Sequence, residues 1–286
     1  MSDWKQPLRL VELLDKDGAI EDRGVDKLVS AVQEAKDLST NLKCEEFLAF
    51  ATSAIRSATN SDDVLRRVEK KTGVDLRILT GEEEARLTFL DARRWHGWSA
   101  GRITNIDIGG GSLEMSTGTE ETPDLAVSLD LGAGRLTHQW FDTDPPERKK
   151  INLLRDFIDA ELAAPAEQFR TLGGSGLAVG TSKTLRTLAR LTGAAPSSAG
   201  PFVKRTLTAP GLRQLIAFIS RMTAADRAEL EGINADRSHQ IVAGALVAEA
   251  AMRALNIDKL EICPWALREG VILRWIDQGP NYEGES

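Results

Sequence analysis

Only two cysteines and three histidines occur in the 286 residues, and that scarcity removes several chemistries at once. Cys44 and Cys263 stand far apart and outside any metal-type spacing, so they read as buried free thiols, not as a disulfide or a zinc site. His96, His138 and His239 share no pattern that would build a histidine-based catalytic or metal site. No window holds the roughly 18 uninterrupted apolar residues of a membrane span. The start, Met1-Ser2-Asp3-Trp4-Lys5, lacks the apolar core of a signal peptide, so the expected compartment is the cytoplasm, without a membrane partner. Basic residues are also in deficit. A net charge of −7 disfavours nucleic acid, and a polyanionic substrate would need a local basic groove.

What is present suits a globular protein, 42% hydrophobic and 28% charged. Domains cluster near roughly 100 to 150 residues, so two cores fit in this length and imply a cleft. The stretch Trp95 to Gly101 reads as a linker, giving domains at 1–98 and 99–286, with the last helix packing back on the first domain. Leu8 to Leu14 reads as an extended segment ending in a turn at Asp17-Gly18. A helix is expected over Gly24 to Leu42, a buried strand over Phe47 to Ala51, a helix from Ser61 to Lys71 stopped by Gly73, and a strand over Val74 to Leu79.

Thr80-Gly81-Glu82-Glu83 has the spacing of a capping box, which accounts for Glu82 and Glu83 at a helix start; Glu84 lies past it. Strands at 102–108, 113–117 and 125–131 open a second α/β unit, and Gly132-Ala133-Gly134 begins a helix. A long helix from Arg148 to about Leu162 carries Arg148-Lys149-Lys150, which reads as a solvated face or an aid to an anionic substrate. Leu172 to Gly176 is a glycine-rich turn. Gly180-Thr181-Ser182 starts another helix, where hydroxyls suit an N-cap or an anion site equally. Helices at 212–222 and 236–255, a strand at 259–263 and a last helix to Ile276 complete the alternation, and Ala243-Gly244-Ala245 suits close packing.

The stretch Asn105-Ile106-Asp107-Ile108-Gly109-Gly110-Gly111-Ser112-Leu113-Glu114 delivers a carboxylate on a strand into a loop with three glycines. Such a loop lets backbone N–H groups approach a phosphate closely. By itself it fits a phosphate site and a plain hairpin turn equally well.

In order along the chain come Ala51-Thr52-Ser53-Ala54-Ile55-Arg56 with Asn60, Gly81-Glu82-Glu83-Glu84-Ala85-Arg86, and Asp107 through Glu114. Gly180-Thr181, Ile241-Val242-Ala243-Gly244-Ala245 and Leu267-Arg268-Glu269-Gly270 follow. In this sequence of motifs the chain resembles the exopolyphosphatase and guanosine pentaphosphate phosphatase family, from about Pro7 to Ile276, in its short two-domain form.

The resemblance implies two ribonuclease H-like α/β domains of the actin, hexokinase and acetate kinase superfamily around an interdomain cleft. It implies release of terminal phosphate from inorganic polyphosphate with magnesium or another divalent cation, in a homodimer. It also implies roles: Glu84 as the catalytic glutamate that activates water, Glu114 as the second conserved carboxylate, and Asp107 near the metal. Gly109, Gly110, Gly111 and Ser112 correspond to a phosphate loop and Arg56 to an arginine that reaches phosphate; Gly180 and Thr181 join the phosphate-binding set. Positioned N–H donors, a cation and a group that orients water are the parts phosphoryl transfer needs.

The chain departs from the family at its start. Members begin with a strand, a loop of the pattern Asp-x-Gly-Ser-Asn or Thr, and a second strand; this chain begins downstream, and Asp15-Lys16-Asp17-Gly18 is no substitute. The N-terminal domain is thus expected to lack its first strands, through a misassigned start codon, a truncated chain, or a protein with half a phosphate clamp. Exopolyphosphatase activity is the leading expectation. Hydrolysis of guanosine pentaphosphate, or a catalytically impaired polyphosphate or nucleotide binder that regulates a partner, are the alternatives. A sugar or acetate kinase fits less well, since nothing marks an acceptor pocket.

Overall fold

The computed structural model describes residues 4–173 and 176–279. Gly174 and Ser175 of the expected glycine turn, Met1 to Asp3 and the tail after Gly279 lie outside the described residues. The chain divides into two compact units, Met1–Thr80 and Gly81–Ser286, so the division falls before the expected boundary at 98.

In the first unit, α1 (Asp22–Asn41) and α3 (Ser61–Thr72) pack together and share one apolar core with two short strands. These strands, β1 (Phe50–Ala51) and β2 (Arg77–Ile78), pair in parallel, and α2 (Ser53–Arg56) follows β1. Val25, Leu28, Val64 and Val68 recur at helical spacing and are buried, which is what orients the two helices. Gly73 stops α3 in the left-handed region with φ 65°, as glycine does at a helix end. The segment expected to be extended near the start is instead a 3-10 turn at Leu10–Leu13. Leu10 and Leu13, three residues apart, are both buried, and that spacing eclipses on a 3-10 turn.

The second unit is built on a six-stranded mixed sheet. Its elements are α4 (Gly81–His96), β3 (Ile103–Ile108), β4 (Leu113–Gly118), β5 (Leu125–Leu129), α5 (Ala133–Trp140), α6 (Arg148–Thr171) and β6 (Leu177–Gly180). The chain goes on through α7 (Lys183–Leu191), β7 (Thr206–Thr208), α8 (Ala209–Ile219), α9 (Ala224–Ala228), α10 (Ile241–Ala254), β8 (Lys259–Ile262) and α11 (Leu267–Gln278). The strand order is β5-β4-β3-β6-β8-β7, with an antiparallel meander β3-β4-β5 joined to the parallel strands β6 and β8.

Alternation along β3 and β4 assigns the two faces. Ile106, Ile108, Leu113 and Met115 turn into the main core with α5, α6, α7, α8 and α10. Ile103 faces the other way, under Phe89 and Ala92 of α4. Helix α4 therefore belongs to this sheet, packing on β3, β4, β5 and α11, and this is why the unit starts at Gly81. Arg93 of α4 is fully buried, donating to the carbonyls of Gly97, Gly101 and Gly118 at 3.2, 2.7 and 2.9 Å. Those bonds tie the end of the helix to the end of β4. Helix α6 runs past the expected end at Leu162 and through Pro165, because Ile158, Leu162, Ala166 and Phe169 continue one buried face.

Asp91 of α4 is also fully buried. Its Oδ1 lies 4.0 Å from the Cys263 thiol, and its Oδ2 has no hydrogen-bond partner among the described residues. Burial, with the negative charges of Asp107 and Glu269 behind it, holds this carboxyl well above the usual range, and Arg186 offsets part of the shift. The folded state keeps a proton that the unfolded chain releases near pH 4, so Asp91 lowers stability as the pH rises through that value. Asp91→Asn is expected to raise Tm by a few degrees at pH 8 and much less at pH 4.5. Equal shifts at the two pH values would show that the charge is not the cause.

Candidate active site

Strand register brings the acids together. Asp107 and Glu114 are direct partners across the β3–β4 ladder, so their side chains stand on one face at the loop end of the hairpin. Glu84 joins them from the first turn of α4, where the helix dipole favours a carboxylate. Thr181, just past the end of β6, donates its hydroxyl to Asp107 Oδ2 at 2.7 Å. Its backbone N–H continues the ladder to Ile106 O at 3.2 Å. Ser128 on β5 donates to Glu114 Oε1 at 2.8 Å, and the Ser112 side chain bonds the same carboxyl.

Burial dominates the electrostatics. Glu114 is 1% exposed, and its carboxyl is pushed well above the usual range by burial, then by the charges of Glu84 and Asp107; the two serine bonds pull it back. Asp107 is raised by burial, against the Thr181 hydrogen bond and the charges of Arg186 and Arg237. Arg237 in turn is lowered, first by burial and then by repulsion from Arg186. The site thus holds more acid than it compensates, beside two arginines.

The glycine loop owes its shape to α5. Ala133 N donates to Gly109 O at 3.0 Å and Arg135 N to Gly110 O at 2.9 Å, while the Arg135 side chain donates through Nε to Gly111 O at 2.8 Å. In a trans peptide the N–H of the next residue points opposite to the carbonyl. The N–H groups of Gly110, Gly111 and Ser112 are therefore turned away from α5 together, an arrangement that suits an anion. Gly109 N closes the loop on Ser112 O at 2.9 Å.

Of the expected residues, Glu84, Asp107, Glu114, Gly109 to Ser112 and Thr181 fall around this hairpin end. Gly180 lies at the end of β6, where a side chain would meet Leu185 of α7 at 2.8 Å. Ser182 is the N-cap of α7, accepting from Leu185 N. Arg56 ends α2 in the first unit and donates to Leu79 O at 2.7 Å. Lys150 pairs with Asp142 at the surface. Sequence reasoning missed Ser128, Arg135, Arg186 and Arg237. None sits in a motif of recognisable spacing, although Arg135 lies just past the noted Gly132-Ala133-Gly134. Arg237 shares a recess with Lys183, Thr187, Asn234 and Gln240.

The donor set is oxygen-only and excess in negative charge, which fits a hard divalent cation. Among the described residues, no group of three or more His, Cys, Asp and Glu side chains is arranged to hold an ion.

The sequence model of the Ppx/GppA phosphatase family matches residues 1–279. The chain belongs to that family. It is 64% identical over 277 residues to a protein named exopolyphosphatase 1 in Mycobacterium tuberculosis, covering 97% of this chain and 80% of that protein. Its counterpart of the same name in Mycobacterium leprae is 61% identical, over 97% and 82%. The crystal structure of an exopolyphosphatase from Cytophaga hutchinsonii superposes with TM-score 0.82 at 21% identity, covering 91% of this chain and 84% of that one. The Aquifex aeolicus Ppx/GppA family member superposes with TM-score 0.76 at 24% identity, over 95% and 87%. The fold expected from the resemblance is the fold of this family member.

In this Ppx/GppA protein the loop and helix meet with no room to spare. A side chain at Gly132 would lie 2.2 Å from Gly111 C and 2.3 Å from Ser112 N, both backbone atoms of the loop, which would have to shift to admit it. Gly132→Ala is expected to cost about 2–3 kcal/mol in denaturant unfolding. A cost below about 0.5 kcal/mol, the range of an ordinary surface substitution, would contradict this packing.

Proposed function

We propose that this protein is an exopolyphosphatase, releasing terminal orthophosphate from inorganic polyphosphate by attack of water. The observation that carries the reading is the pairing of Asp107 and Glu114 across β3 and β4, beside a glycine loop whose amides are turned away from α5. The names of the relatives at 64% and 61% identity support the substrate.

In this reading the amides of Gly110, Gly111 and Ser112 hold the terminal phosphate and stabilise the charge that gathers on its oxygens. Thr181 fixes the Asp107 carboxylate. Gly180, by lacking a side chain, lets α7 close on the site. Glu84 takes a proton from the attacking water; the water oxygen bonds to the terminal phosphorus, the bond to the bridging oxygen breaks, and the shortened polyphosphate leaves as an anion. The choice of Glu84 over Glu114 as the base rests on the family motif alone. Arg56 enters as a phosphate ligand on the family motif alone.

We propose magnesium as the cation, held by Asp107; when bound it neutralises phosphate charge and orients oxygens. A homodimer is the setting carried over from the family, and a sedimentation mass of one chain would remove the dimer.

Phosphate release from polyphosphate is expected with magnesium and to stop on chelation. Glu84→Gln is expected to lower kcat by about 10²–10⁴-fold with Tm little changed, the usual size for losing a general base. Full activity in that variant would remove Glu84 as the base. Faster release from guanosine pentaphosphate than from polyphosphate would replace the substrate assignment.

A further inference from the structure

Among the described residues, the carbonyls of Gly109 and Gly110 are anchored by backbone donors and that of Gly111 by a side chain. Ala133 N and Arg135 N would hold Gly109 O and Gly110 O whatever those residues were, proline excepted. Gly111 O is held by Arg135 Nε. Glycine peptides rotate easily between the two hands of φ, so the Gly111–Ser112 peptide has little intrinsic preference for the orientation it shows. Arg135 itself is held in place by its own helical turn and by Asp130, whose Oδ1 lies 3.2 Å from Nη2. Its guanidinium is mostly buried and planar, so Nε presents a donor in a fixed direction.

We propose that Arg135 is a positioning residue for phosphate binding and turnover, acting through the Gly111–Ser112 peptide and not by touching phosphate. The inference rests on the phosphatase reading for its effect on turnover, but not for its effect on anion binding. By holding Gly111 O, Arg135 keeps the Ser112 N–H facing the anion. Losing one preorganised donor of an oxyanion site typically costs 10²–10³-fold in kcat, and a donor left free to rotate, not removed, is expected to cost about tenfold. The charge alone is not the device. A lysine at this position keeps the charge but carries its donor on a flexible stem, so it restores the orientation only in part.

The test measures orthophosphate binding by titration calorimetry, kcat and KM on polyphosphate, and Tm, for wild type, Arg135→Ala and Arg135→Lys. Expected are a weakening of orthophosphate binding and a fall in kcat of about tenfold for alanine, an intermediate loss for lysine, and partial recovery of the alanine variant by added methylguanidinium. A structural role alone would shift Tm and leave kcat and binding in the folded fraction unchanged, and that outcome overturns the proposal. If Arg135→Ala does not fold, the lysine variant decides; wild-type binding and kcat there overturn the proposal too. Wild type with no measurable orthophosphate binding removes the anion site and the proposal together. Should wild type bind orthophosphate but release none from polyphosphate, while the variants lose binding, the phosphatase reading fails and the positioning role stands.

Discussion

The donors of the first turn of α5 hold the carbonyl oxygens of Gly109, Gly110 and Gly111, and much of the second unit is arranged to let that contact exist. The first N–H groups of a helix have no partner within it and commonly meet an anion directly. Here two of them are used on a loop, and the loop's own amides become the outward donors. Close approach is the requirement. It explains glycine at 132 and also at 134, where a side chain would meet Gln240 Oε1 at 2.8 Å and Gly110 O at 3.1 Å. It also explains the small residues of α10: a side chain at Gly244 would meet Thr184 at 2.6 Å and Ala133 at 3.2 Å, so α10 presses α5 toward the loop.

The electrostatic cost of the site is concentrated on the same sheet face. Asp91, Asp107 and Glu114 are all displaced upward, with burial the largest cause for each, and the Asp107 charge adds to the shifts of Glu114 and Asp91. Hydrogen bonds from Thr181 and Ser128 and the charges of Arg186 and Arg237 compensate only in part. Such uncompensated burial of acid lowers stability, the exchange between stability and function that active sites show.

Much of the hairpin and its helix contacts is legible in the sequence. The run from Asn105 to Glu114 alternates apolar and polar residues at period two on both sides of a glycine turn, which puts Asp107 and Glu114 on strands, and their direct pairing is seen only in the structure. Ala243-Gly244-Ala245 signals a close helix contact. The partners of Thr181 and Gly111 are not legible, because Asp107 lies 74 residues from Thr181 and Arg135 lies 24 from Gly111. Arginines at 186 and 237 look like ordinary surface residues until parallel strands and a folded loop bring them near Asp107. The expected end of α6 near Leu162 is too early, because one continuous buried face carries the helix through Pro165.

The most direct measurement of the loop's function is the amide spectrum of ¹⁵N-labelled protein during titration with orthophosphate. Saturable shifts are expected, concentrated at the amides of Gly110, Gly111 and Ser112, with the Gly109 amide, bonded to Ser112 O, moving much less. Shifts absent from those three amides while phosphate binds elsewhere would contradict that function.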